Sequence, residues 1–268
     1  MSNRKVVIGL SVLIPIIIIS ILGENITPYD PVETNVLAAN QGPSSEYWLG
    51  TDNLGRDLLS RVIIGGQSSL LLGFSATGFS LALGVPIGLV SGYMRGRVDE
   101  YLMRLMDIFM SIPILLLGIL ILVTLPSNLI NVIIAIGVVF VPRIARVTRS
   151  ATLAESQEPY IMAAKARGES MPYILFQELL PNIMPPIVVE GSIRVGYAIL
   201  VGTSLSFLGL GAGPPNPDWG YMVANARLYI YETPWFLLWP SLALLLTIMS
   251  TNLLGDGLQR RTRPEGRR

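Results

Sequence analysis

The segment PYIMAAKARGESMPYILFQELLP, residues 159–181, lies between two long apolar runs and decides how the rest of the chain is read. Lys165 and Arg167 fall in the last turn of a short helical stretch, where cations complement the helix dipole. Gly168 follows, able to take the left-handed capping conformation. A sharp turn is expected there. Past it, Ser170 can cap a second short helix and Pro172 sits in the first turn, where its missing N–H costs nothing. Ile174, Leu175, Leu179 and Leu180 share a side, and Leu180-Pro181 reads as the stop. The whole is a bent amphipathic insert, suited to gripping a soluble partner. The competing reading is a loop resting on lipid headgroups.

Composition bounds the class. Hydrophobic residues make up 51% of the chain and charged ones 14%, the balance of a membrane protein, and a net charge of +1 offers nothing to nucleic acid. With no cysteine and no histidine, disulfides, thiolate and imidazole metal sites, cysteine nucleophiles and Ser-His-Asp triads are excluded. A GxxxxGKS/T phosphate cradle is also missing, so ATP hydrolysis, if used, belongs to another polypeptide. The chain is therefore expected to be no enzyme and to bind neither metal nor cofactor itself.

Six runs have the length and apolarity to cross a bilayer, which takes about 20 helical residues: 6–23, 68–91, 105–125, 129–145, 185–208 and 236–255. The first contains Pro15 and follows Arg4-Lys5 in the manner of a signal peptide, but no small-x-small cleavage site stands near Ser20. Basic residues set the orientation, since lysine and arginine stay on the cytoplasmic side. With both termini inside, that side takes Arg95, Arg97, Arg104, Arg143, Arg146, Arg149, Lys165, Arg167 and the terminal basic residues. Only Arg56, Arg61 and Arg227 fall outside. The 159–181 insert is then cytoplasmic.

The chain divides into an anchor with a long outer loop (1–66), a helical core (67–257) and a basic tail (258–268) expected to be disordered or to lie on headgroups. Thr51, Asp52 or Asn53 can cap a helix through Leu58, Leu59, Val62 and Ile63 that lies along the outer face before the chain enters the membrane. Gly84, Gly88 and Gly92 form a ridge without side chains for close helix packing, within this chain or against another. Glu190 and Arg194, at i, i+4 inside an apolar run, read either as a neutralised pair or as groups on a transport pathway. Asp107 and Asp256 are expected at the membrane interface. Trp219, in PPNPDWG (214–220), suits a headgroup anchor or a docking point for an outer protein.

Five passages now stand in order: GTDNLGRDLLSR (50–61), the Ala163-Ala164…Gly168…Leu180-Pro181 insert, SLSFLGLG (204–211), PPNPDWG, and NLLGDGLQR (252–260). Together they resemble the C-type permease subunit of bacterial and archaeal ABC importers for dipeptides, oligopeptides and nickel. Two departures are Met162, where that pattern has glutamate, and Glu178, where it has an apolar residue or histidine. The resemblance implies an all-α, polytopic fold of six transmembrane helices with a five-helix permease core and a cytoplasmic coupling helix in the plasma membrane. It implies as partners a homologous B-type permease, two cytoplasmic ATPase subunits that carry the ATP and Mg, and an outer substrate-binding protein. ATPase contact then falls to Ala163, Ala164, Gly168, Glu169, Ser170, Met171, Pro172, Tyr173, Phe176, Leu180 and Pro181. The alternative class is an ion-gradient-driven transporter or channel, which would carry a relay of membrane carboxylates or broken helices at mid-bilayer.

Overall fold

The computed structural model describes residues 2–211, 213 and 215–262. Pro214 of the PPNPDWG passage and the tail arginines beyond Thr262 lie outside them. The chain folds into α1 (Ser2–Ile21), α2 (Leu58–Met94), α3 (Gly96–Ser111), α4 (Ile114–Val123), α5 (Leu129–Glu155), α6 (Pro159–Ala166), α7 (Met171–Phe207), α8 (Trp219–Ala226) and α9 (Pro234–Thr262). Among the described residues the nearest thing to a strand is one antiparallel bridge between Thr51 and Asp57. Helices α1, α2, α5, α7 and α9 are each long and apolar enough to cross a membrane. Together α3 and α4 make a sixth, broken span, bent by 89°. The expected continuous helix over 105–125 is therefore wrong: Ile112 is extended (φ −92°, ψ 130°), as a residue before proline prefers, and Pro113 starts the new direction.

At the centre α5 is clasped between α2 and α7. Ala76, Ile136, Phe140, Ala198 and Leu205 fill the space between them, with Leu117 and Leu122 of α4 closing one side. The glycine ridge faces α5 of the same chain. A Cβ at Gly84 would stand 2.7 Å from Ile144 Cβ, one at Gly88 2.5 Å from the Ala145 carbonyl oxygen, and one at Gly92 2.7 Å from Thr152 Cβ. Helices in lipid gain nothing from burying apolar surface, so this backbone-close contact is what holds the pair.

Helix α1 packs along α9, and Lys5 Nζ meets Asp256 Oδ2 at 2.8 Å, so the start of the first helix and the end of the last share one end of the bundle. The α6 hairpin is at that end too: Gly23, just past the end of α1, lies against Ile63 and Ile64 at the start of α2, while Leu89, near the other end of α2, packs with Ile161 and Ala164 of the hairpin. The tail expected from residue 258 is helical as far as Thr262, where the described residues end.

The opposite end is a folded cap in place of an irregular loop and a surface helix. Asp57, and none of Thr51, Asp52 or Asn53, caps α2 by accepting from the Ser60 amide at 2.8 Å, and α2 runs unbroken through residue 66. Residues Thr51 and Asp52 are buried beneath the loop. Trp219 is no headgroup anchor: it is 2% exposed, its ring lies over Gly65 and Gly66, and its Nε1 donates to the Val62 carbonyl at 2.8 Å. Its buried N–H needs such a partner.

Candidate functional site

Two regions carry features that packing alone does not require. The first is the 159–181 hairpin. Helix α6 ends in a Schellman motif: Gly168 has φ +76°, its N–H reaches the Lys165 carbonyl at 3.0 Å, and the Glu169 N–H reaches the Ala164 carbonyl at 3.2 Å. Ala164 and Ile161 are buried with Ile174, Leu175 and Leu179 against Leu89 of α2, which anchors both arms to the bundle. Lys165 Nζ rests 4.7 Å from the Tyr93 ring centre, and Tyr160 donates to Glu155. Burial, and then that hydrogen bond, hold the Tyr160 phenol above its ordinary pKa.

The second arm differs from expectation. It is the beginning of α7 and no separate short helix, and Leu180-Pro181 does not stop it. Proline lacks the N–H for an i→i−4 bond and its ring crowds the carbonyl four residues back. Residues Ile174–Leu179 widen into a π turn, with Leu180 N–H bonded to Leu175 O, and the helix passes the proline intact. Ser170 stands at the N-cap position without a side-chain cap bond. The two departures in the sequence also find their places. Glu178 lies 3.6 Å from Arg167 and Glu169 lies 3.4 Å from the same guanidinium, a clamp across the bend, while Met162 faces outward. With Met162 at 59% exposure, Tyr173 at 41% and Phe176 at 49%, an apolar surface is left open on this hairpin.

The second region lies within the membrane-spanning part. Glu190 and Arg194 of α7 pair at 2.7 Å, each side chain 12% exposed, and Arg143 of α5 approaches the same carboxylate oxygen at 3.6 Å. The Arg194 guanidinium lies over the rings of Phe140 and Tyr197. Arg143 begins a series on α5: Arg146 pairs with Asp107, and Arg149 with Asp99 of α3. Arg143 falls inside the expected run 129–145, and Arg146 and Arg149 fall beyond its end. Helix α5 runs ten residues past residue 145, and the three-residue spacing of the arginines is the signal that they share a helix. Between the α3–α4 break and these charges is a cavity of about 210 Å³, lined by Arg143, Arg194, Phe109, Met110, Leu117 and Phe140 among others.

Residues 84–267 match the family described as binding-protein-dependent transport system inner membrane component, and residues 1–43 match the N-terminal TM domain of oligopeptide transport permease C. The chain is 39% identical over 258 residues to the dipeptide transport system permease protein DppC of Alkalihalophilus pseudofirmus, covering 96% of this chain and 85% of that one. It is also 39% identical over 259 residues to the glutathione transport system permease protein GsiD of Pectobacterium atrosepticum, covering 96% and 86%. In fold it matches a chain of the MetNI methionine ABC transporter in an inward-facing conformation, with a TM-score of 0.64 at 21% identity over 77% of this chain and 98% of that one.

Proposed function

The chain belongs to the family of binding-protein-dependent transport system inner membrane components, and from that premise we propose how this multi-pass permease subunit of an ABC importer works and what it carries. The substrate class is peptides: relatives similar over nearly the whole chain are named as dipeptide, D,D-dipeptide and glutathione permeases. Membership sets aside the ion-gradient and channel alternative. A second, B-type permease completes the pathway, an outer protein delivers substrate, and ATP with Mg acts on two separate ATPase subunits.

The bent hairpin with an open apolar surface is the observation that carries the mechanism. An ATPase subunit seats on Met162, Tyr173 and Phe176. When ATP draws the ATPase pair together, the hairpin moves with them, and α7, continuous from Met171 to Phe207, carries the displacement to the far end of the bundle. Alternating access follows from rigid helices moving about the substrate path.

Gly168 tests this. A Cβ there meets no atom within 4 Å, so substitution acts only through backbone strain at φ +76°. Gly168→Val is expected to cost about 1–2 kcal/mol in that conformation, enough to lower the correctly aimed population about tenfold. ATP hydrolysis should persist while uptake falls by that factor, and cysteines at Tyr173 and Phe176 should cross-link to the ATPase. Normal uptake by Gly168→Val with no cross-link from either position would return the hairpin to a headgroup-bound connector.

The basic-residue count supports a cytoplasmic hairpin and cytoplasmic termini. In a chain without native cysteine, a cysteine at Glu46 should react with an impermeant reagent on intact cells and one at exposed Gln157 should not. The reverse pattern would invert the topology.

A further inference from the structure

We propose that Arg143 and Arg194 form an anion-accepting station on the translocation path, one that holds the carboxylate of a peptide in transit. This rests on the reading of the chain as half of a peptide pathway, and adds to it a place and a ligand chemistry. Both guanidiniums share a single carboxylate, Glu190, and only one of its oxygens: Arg194 Nε at 2.7 Å and Arg143 Nε at 3.6 Å. One positive charge is left over. Arginine carries further N–H donors in a planar fork that matches a carboxylate, and both residues line the 210 Å³ cavity.

The location is that of a pathway. Arg143 stands about 20 Å along α5 from its outer end and Arg194 about 20 Å along α7 from its outer end, the same depth by two routes at 1.5 Å per residue. Ionisable groups at such depth are costly where they face lipid. The cavity is walled on one side by the broken α3–α4 span, through Phe109, Met110, Ile112 and Ile114, and interrupted helices in lipid-embedded proteins line cavities. Arg143 is 55% exposed on a face that this chain leaves open, while Arg194 is fixed from behind by Glu190, Phe140 and Tyr197. One arginine is therefore held in place, and the other, half exposed and paired only at 3.6 Å, can turn toward a passing anion. The remaining wall, Val139 and Leu117 included, is apolar and indifferent to side-chain identity, as a carrier of varied peptides requires.

Two measurements on the assembled transporter test this. With a cysteine at Met110, which lines the cavity and is 40% exposed, a sulfonate-bearing thiol reagent should react about fivefold faster than a trimethylammonium one, and Arg143→Gln should erase the difference. In ATP-driven uptake, Arg143→Gln should lower the rate for a free-acid peptide about tenfold relative to its C-terminal amide, each delivered by the same preloaded binding protein. Arg143→Lys should fall between. No reaction at Met110→Cys, or a reagent preference untouched by Arg143→Gln, would overturn the station. Equal losses for acid and amide would overturn it too, because the arginine would then act independently of the peptide carboxylate. Anion-selective labelling in a transporter that moves neither peptide would instead sink the peptide reading and leave the anion site standing.

Discussion

Gly88→Val is expected to prevent the bundle from assembling. A Cβ at this position would lie 2.5 Å from the Ala145 carbonyl oxygen, 2.5 Å from Thr148 Cβ and 2.9 Å from the Arg149 amide nitrogen. Two of these three atoms are backbone, so no side chain can rotate away, and α2 and α5 must separate along their length. Overpacking commonly costs about 1–3 kcal/mol where neighbours can give. Here separation also forfeits the contacts of Gly84 and Gly92 on either side, and the loss should exceed about 3 kcal/mol. Gly78→Val is the control. It lies on the same helix, but a Cβ there meets nothing within 4 Å, so its effect should stay within about 1 kcal/mol. Thermal unfolding in detergent and the yield of monodisperse protein distinguish the two. If the variants behaved alike, close approach of α2 and α5 would not be what holds the centre together.

That contact also bears on function. Helix α5 sits between α2 and α7, carries Arg143, and leads into the hairpin, so in the proposed mechanism it offers a second route, beside α7, from the hairpin to the charge cluster. The ion pairs Arg149–Asp99 and Arg146–Asp107 fasten α3 to the same helix. Glycine contacts on one side and ion pairs on the other tie α5 to both neighbours, so a displacement near Glu155 in the proposed mechanism would be shared among them.

Features with a local cause were legible in the sequence, and features made by distant contacts were not. The bend at Gly168 follows from Lys165, Arg167 and the glycine itself, and the apolar face of Ile174, Leu175 and Leu179 from spacing alone. The break at Pro113 had a local signal, overridden because hydropathy averages across 105–125 as one run. The reverse happened at Pro181, where a proline rule predicted a stop and a π turn, supported by packing on Leu89, absorbed it. Trp219 read as an interfacial ring because its partners, Gly65, Gly66 and Val62, are more than 150 positions away in the chain. Arg146 and Arg149 fall past the expected end at residue 145 because the apolar run stops there, though the helix continues to Glu155.

Asp52→Ala should be the most damaging single change at the opposite end of the molecule. Its carboxylate is fully buried. One oxygen accepts from the Leu54 amide at 2.8 Å and the Arg56 amide at 3.0 Å, and the other from Arg56 Nε at 2.6 Å. Arg61 Nε lies 3.5 Å away, near enough for charge though without a hydrogen bond. Removing this one group strands two buried guanidiniums and two amides, and breaking a buried ion pair from one side costs about 3–5 kcal/mol. The damage should spread, because Arg61 Nη1 donates to the Pro31 carbonyl at 2.6 Å and so ties the long outer loop to the top of α2. Proteolysis within residues 27–57 should therefore accelerate in the variant, alongside a lowered unfolding temperature. Arg56→Met alone leaves Asp52 and Arg61 to balance each other and should cost less. Added to Asp52→Ala, it removes one of the stranded charges, so the double variant should be more stable than the sum of the singles implies by at least about 1 kcal/mol. Additive losses, or an Asp52→Ala protein within about 1 kcal/mol of the parent, would mean that water already reaches the carboxylate and that the cap is held by Asp57 and Trp219 instead.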